Sequence, residues 1–245
     1  LEEPPPGTYL VLTAAHPERL PATVLSRCEL VPLRPVPAAA IASWLVQTQG
    51  VSDELAAVAA PLSGGAPGRA LRLVGEPDRL RRELDALDAF LGAGGGGVAT
   101  ALRVAGDVTP GPGAEGRDQA LATLNAWASF VRDAACFAAG APDLAVWSAY
   151  RPALERWAED LQPDRIVAIL GRIVSAAESI SIYAQPRLTF EALLLDIFGG
   201  ADSPPVVQPP ARPAGLSPGG GPGGTRSRPR AAPRERATAG AGKRR

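Results

Sequence analysis

The sequence predicts a mainly α fold: a short mixed α/β segment at 1–34, a small three-helix unit over 35–75, a helical bundle over 76–200 and a disordered tail over 201–245. Three observations predict it. Apolar residues recur at steps of three and four from Ile41 to Ile197, the period of an amphipathic helix. Pro or Ser stands where several of these runs begin and Gly where they end, as helix boundaries require. Beyond residue 200, Pro, Gly and Arg dominate and apolar residues nearly vanish, leaving too little surface to bury against the entropy of ordering.

In the first segment, residues 8–13 (TYLVLT) are a continuous run rich in apolar, aromatic and β-branched residues, as a strand buried on both faces would be. Pro17 can open a short helix through Arg19, and Pro21 a second turn through Leu25. Residues 29–33 (ELVPL) read as another short strand, placed at a sheet edge by Pro32. Between them lies TVLSRC, in which Arg27 is flanked by Val24, Leu25, Leu30 and Val31. Those neighbours predict a core with the Arg27 guanidinium at its exit, available either to a helix-end salt bridge or to something outside.

The three-helix unit begins with Ile41, Trp44, Leu45 and Thr48 at helical spacing, closed by Gly50. Ser52 is a natural N-cap for the next helix, with Asp53 and Glu54 favourably placed against its dipole. That helix carries Leu55, Val58, Ala59 and Leu62, and a third short helix, GRALRLV, follows the SGGAPG turn.

Leu80, Leu84, Leu87 and Leu91 line one face of the next helix, after which AGGGG (93–97) and DVTPGPGAEG (107–116) mark loops, the second long enough to be mobile. Over 117–139 a stripe of Leu121, Leu124, Ala128, Val131 and Ala135 predicts a helix. Leu144, Trp147, Tyr150, Leu154 and Trp157 continue the pattern over 142–160. The cleanest periodicity is over 163–182, where Ile166, Ile169, Leu170, Ile173, Val174, Ala177 and Ile180 follow Pro163 at the first helical position. Phe190, Leu193, Leu194 and Ile197 repeat it before Gly199 and Gly200. A bundle of four or five helices results.

With 46% apolar and 20% charged residues in 245, the chain can build a sizeable core. It has no run near the eighteen or so apolar residues of a spanning helix and no charged-then-apolar leader, so a soluble cytoplasmic protein is expected, without a membrane partner. Cys28, Cys136 and His16 lie far apart with no ligand spacing; neither zinc nor a disulfide framework is expected, both thiols read as small buried apolar residues, and His16 as a polar loop residue. Glu2 and Glu3 read as a solvated helix end. The only lysine is Lys243, so no phosphate-loop lysine is available. Charge is divided: residues 201–245 hold nine Lys or Arg against two acids, and residues 1–200 hold 16 against 23. The tail's cationic run can neutralise nucleic-acid phosphates or serve only as a charged linker. The absence of methionine and the opening LEEPPPGTYLVL read as the distal part of a longer frame.

The stretch LEEPPPGTYLVLTAAHPERLPATVLSRCELVPL resembles the distal half of the ATPase module in bacterial clamp-loader subunits, an AAA+ family. An EEPP turn, a strand ending in Thr, a P-x-x-L-x-x-T-[IVL]-x-S-R-C helix and a short strand occur there in this order, and Leu20 and Thr23 complete the S-R-C element here. The similarity continues through G-x-x-G-x-A-L at 65–71 and, more weakly, through a helical collar to about residue 199. It implies that 1–34 is a remnant of the AAA+ α/β module, 35–75 a three-helix lid and 76–200 an oligomerising collar.

It further implies that Arg27 is an arginine finger acting in trans, and that Thr13, ending the first strand, is either a sensor of the γ-phosphate or structural. This chain would bind no cofactor itself; ATP-Mg would sit in a neighbouring subunit. Partners would be tau/gamma and delta subunits, with the sliding clamp and primed DNA reached through the complex, so that the chain belongs to a DNA polymerase holoenzyme without being catalytic alone. Motor subunits of the family carry a sensor arginine where Gly68 stands, with Arg69 one step later and turned by about 100°; this points to a stator that assists hydrolysis elsewhere. Two other readings stay open: a tau/gamma-type ATPase fragment, and a helical scaffold whose basic tail binds nucleic acid.

Overall fold

A computed structural model describes residues 5–14, 17–200, 202–213 and 216. Its helices are α1 (Ala22–Leu25), α2 (Ala38–Gln49), α3 (Asp53–Leu62), α4 (Pro67–Gly75), α5 (Pro77–Leu91), α6 (Gly97–Val108), α7 (Ala114–Ala138), α8 (Arg151–Asp160), α9 (Pro163–Ser181) and α10 (Pro186–Phe198). Three 3-10 turns, Pro17–Arg19, Pro142–Leu144 and Ser148–Tyr150, complete the regular structure. The mainly α expectation holds, and no strand forms among the described residues.

The two expected strands are therefore corrected. Residues 8–13 and 29–33 are irregular and exposed, Tyr9 at 93% and Val11 at 90%. A strand exists only where a neighbour completes its ladder, and no described segment pairs with either run. Leu30 and Val31 are exposed as well, Leu25 is exposed and no residue of α1 is buried, so the core expected around Arg27 does not form on either side of it. The two short turns are as read, Pro17 opening the first and Pro21 preceding α1.

Local signals place the next helices correctly. Gly50 ends α2 in the left-handed region, φ 66°, with the Val51 amide donating to Leu45 O at 3.2 Å. Ser52 caps α3, its Oγ accepting from the Leu55 amide at 3.3 Å, and Pro67 and Pro77 occupy the first turns of α4 and α5. A Cβ on Gly50 would meet no atom within 4 Å, so Gly50→Ala tests the backbone conformation alone. It is expected to lower stability by about 1 kcal/mol, read as a lower urea midpoint at constant m; an unchanged midpoint would refute the left-handed cap.

α7 is the central helix of the bundle, packing against α3, α5, α8 and α9. Its buried residues include Ala120, Leu124, Trp127, Phe130, Val131 and Ala134, whereas Leu121, Ala128 and Ala135 from the expected stripe are half-buried. A helix covered on several sides buries more than one stripe, and the stripe read from aliphatic spacing lay at its edge. Aromatic rings fill the centre. Phe90 of α5 stacks on Trp127 at 4.6 Å between centroids and meets Phe198 of α10 edge-on at 5.2 Å. Trp157 of α8 meets Phe130 at 5.5 Å, and Trp127 Nε1 donates to Ala86 O at 3.1 Å. Leu144, expected to be apolar core, is exposed on the 3-10 turn.

Ile166, Ile169, Ile173 and Ile180 of α9 are buried as the period requires, while Val174 is exposed. α6 occupies the stretch between the two glycine-marked loops and packs on α10. One contiguous core runs from Ile41 of α2 to Leu216. Of the segment expected to be disordered, 202–213 and 216 are described and pack on the bundle, with Val207 and Leu216 buried. The rest of that segment, together with Glu2, Glu3 and His16, lies outside the described residues.

Candidate functional site

Arg27 follows the single turn of α1. Pro21 precedes that turn, and the Ser26 amide closes it on Ala22 O at 2.9 Å. The Arg27 guanidinium donates through Nη1 to Thr23 O at 2.8 Å, and Ser26 Oγ donates to the same carbonyl at 3.3 Å. The residue is exposed. T-V-L-S-R-C thus folds as one hydrogen-bonded turn with a fork-shaped cation on its surface. Thr13 lies in the exposed irregular run before it, not at the end of a strand. Cys28, beside Arg27, is exposed, which corrects the buried reading; Cys136 is half-buried.

The Gly68–Arg69 pair resolves differently. Arg69 Nη2 donates to Glu83 Oε2 at 2.7 Å, and Arg79 Nε lies 3.6 Å from the other carboxylate oxygen. Glu83 is buried, so this three-membered cluster ties α4 to α5, and the Arg69 side chain is committed to its own fold.

Two grooves adjoin these elements. One, between α2 and α3 and the 145–148 loop, is lined by alanines with Asp53 as its only charged residue. The other is lined by Glu76, Arg79, Arg82 and Glu83 of α5 and by Glu115, Asp118 and Gln119 of α7. Neither offers the uniformly cationic or amide-rich lining that a triphosphate demands. No group of three or more metal-ligating side chains occurs among the described residues.

Two polar clusters were not legible in the sequence. Asp133, fully buried in α7, accepts from the Val146 amide at 2.6 Å and the Trp147 amide at 2.9 Å, and pairs with Arg132. It fixes the loop that seats Trp147, whose Nε1 donates to Ser129 Oγ at 3.1 Å. In the second cluster, Asp88 of α5 accepts from Tyr150 OH at 2.9 Å and is paired with Arg212, whose Nη1 also lies 2.7 Å from Asp85.

Burial raises the Asp88 carboxyl above the usual carboxylate value, against the opposing hydrogen bond and charge of Arg212 and the hydrogen bond of Tyr150. Burial, then the charge and hydrogen bond of Asp88, likewise raise the Tyr150 phenol. A raised carboxyl binds its proton more tightly folded than unfolded. Its stabilising contribution is therefore full below the unfolded value of about 3.9 and lost as pH rises through the folded one. The phenol contributes stability below about pH 10 that is lost above it, as the unfolded chain ionises first. Arg212→Gln, which removes the main influence lowering Asp88, is expected to move its titration to still higher pH, followed by carboxyl carbon NMR. A titration that stays in place or falls would refute the pairing.

No family model matches the chain. Over 73 residues it is 44% identical to DNA polymerase III subunit delta' of Escherichia coli (strain K12), a segment that makes up 30% of this chain and 22% of that protein. The chain therefore spans less than a quarter of the length of the curated relative it matches, and over that segment it is similar to a DNA polymerase III subunit.

Proposed function

We propose that this chain is the distal part of a delta'-type clamp-loader subunit of a bacterial DNA polymerase III holoenzyme. In this reading its helices 76–200 join a ring of related subunits, and Arg27 reaches the ATP-Mg of a neighbour. The carrying observation is the 44%-identical segment shared with subunit delta', supported by the T-V-L-S-R-C element whose arginine is exposed.

In phosphoryl transfer the developing charge spreads over the γ-phosphate oxygens, and catalysis is mostly positioning and electrostatic stabilisation. A planar, permanently ionised guanidinium suits that task because its N–H fork matches two phosphate oxygens at once. The single turn of α1, hydrogen-bonded through Ser26 and Arg27 to Thr23 O, supplies a short base for it. Thr13 is carried in this reading as either a sensor of the γ-phosphate or a structural residue. The engagement of Arg69 by Glu83 favours a stator over a motor, since a side chain tying α4 to α5 does not also read a phosphate.

Assembly is the direct test. The chain, mixed with purified tau/gamma and delta subunits from its own source, is expected to co-elute with them in size-exclusion chromatography at a single larger volume-derived mass. Separate elution at micromolar concentrations would refute the clamp-loader reading.

A further inference from the structure

Residues 202–213 follow α10 and lie on the bundle without a helix or strand of their own. Their sequence, DSPPVVQPPARP, holds five prolines, which favour an extended backbone and reduce the entropy lost when it is held. Ser203 Oγ accepts from the Gly95 amide at 3.2 Å, and the Val207 amide donates to Leu91 O at 3.3 Å with its side chain buried. A Cβ on Gly94 would overlap the carbonyl oxygens of Pro204 and Pro205, so the two backbones touch there. Arg212 Nε donates to Asp88 Oδ2 at 3.2 Å, and its Nη1 lies 2.7 Å from Asp85 Oδ1. The partners of residues 203, 207 and 212 are 95, 91 and then 88 with 85, so the segment runs antiparallel to α5.

The surface beneath it is built by the bundle alone. Leu91 and Ala93 are fully buried, and Tyr150 OH holds Asp88 from the other side at 2.9 Å. Asp85 and Asp88 stand three apart on α5, where like charges repel. The Asp88 side chain is 15% exposed and that of Arg212 8%, so without the guanidinium a largely buried carboxylate would be left uncompensated, which is costly. One backbone hydrogen bond, one seated apolar side chain and one charged anchor are the elements by which domains recognise extended peptides. None of them requires that the peptide be joined to α10.

We propose that Gly94, Gly95, Leu91, Asp88 and Asp85 form a binding site for extended proline-rich peptides anchored by an arginine. Residues 203–212 fill it in cis, and a peptide of the same chemistry fills it in trans when they are displaced. This goes beyond the clamp-loader reading and does not rest on it. A segment tethered by a short link acts at an effective concentration in the millimolar range, so a free peptide competes poorly until a cis contact is removed.

The test is fluorescence anisotropy with the full chain and a fluorescein-labelled peptide of residues 202–213. The Arg212→Ala chain is expected to bind it with a Kd below about 1 mM and at least about tenfold more tightly than the wild type. Placing Arg212→Ala in the peptide instead is expected to weaken its binding to that variant chain at least about tenfold, because the two carboxylates stay unpaired. Adding Gly94→Ala to the variant chain is expected to abolish binding by blocking Pro204 and Pro205. Saturating peptide is expected to lower the hydrogen-exchange protection of the chain's own Val207 amide, since both segments compete for Leu91 O. Should the Arg212→Ala chain not fold, Val207→Ala, which loosens the cis segment and leaves the charged cluster in place, is expected to gain at least about threefold in affinity over the wild type. No binding up to about 1 mM, equal affinity of variant and wild-type chains, or equal affinity of the two peptides would overturn the site. Val207 protection unchanged at saturation would put the peptide elsewhere and overturn it too.

Discussion

Replacing Arg27 by alanine is expected to lower DNA-stimulated ATP hydrolysis by a reconstituted clamp loader about 10³-fold, with assembly intact. A finger supplied in trans contributes roughly 10³ to 10⁵ in turnover, and the lower figure corresponds to about 4 kcal/mol of transition-state stabilisation. The side chain is exposed on a turn that has no buried residue, so its loss is expected to leave the circular dichroism of the helices unchanged. Arg27→Lys separates charge from geometry: it keeps the cation but loses the fork, and is expected to recover only a small part of the rate. Hydrolysis by the alanine variant within about twofold of wild type would refute the finger while leaving membership of the complex standing.

The second large effect is on stability. Asp133→Ala is expected to destabilise the bundle by about 3 to 5 kcal/mol. The carboxylate receives two backbone amides of the loop before Trp147 and has no solvent exposure. Hydrogen bonds to a charged acceptor contribute roughly 1.5 to 3 kcal/mol each, and stranded donors add a desolvation cost. At about 2 to 4 °C per kcal/mol for a domain of this size, the midpoint should fall by roughly 10 °C. Asp133→Asn keeps one acceptor oxygen and should lose less. Asp143→Ala, at an exposed neighbouring acid, should lose almost nothing. Equal melting of the two alanine variants would show that the loop is held otherwise.

What could be foreseen divides along the range of the forces involved. The cap at Ser52, the left-handed Gly50 and the isoleucine ladder of α9 are short-range signals, and all three are in place. α6 had no start signal, since Gly96 precedes it without a side-chain cap; its place is decided by packing on α10. Trp127 and Phe130 escaped the stripe drawn for α7 because that helix has neighbours on several sides. Asp133 reads as one more surface acid until the amides of residues 146 and 147, thirteen and fourteen positions on, are seen to converge on it. The composition of residues 202–213, poor in apolar side chains, predicts disorder, yet an ion pair spanning 124 residues ties Arg212 to Asp88. Residues 8–13 failed in the opposite sense: their composition suits a strand, but pairing is a property of two segments, and the described residues supply one.

The bared run around Tyr9 to Leu12, with Leu30, Val31 and Leu33 exposed as well, has a practical consequence. Hydrophobic, β-prone and free of acidic or basic gatekeepers between residues 8 and 14, it is the kind of surface on which polypeptides coalesce. Turbidity in concentrated solutions of the chain should therefore rise steeply with protein level. Charged replacements such as Val11→Lys should clear it without altering the melting of the helices.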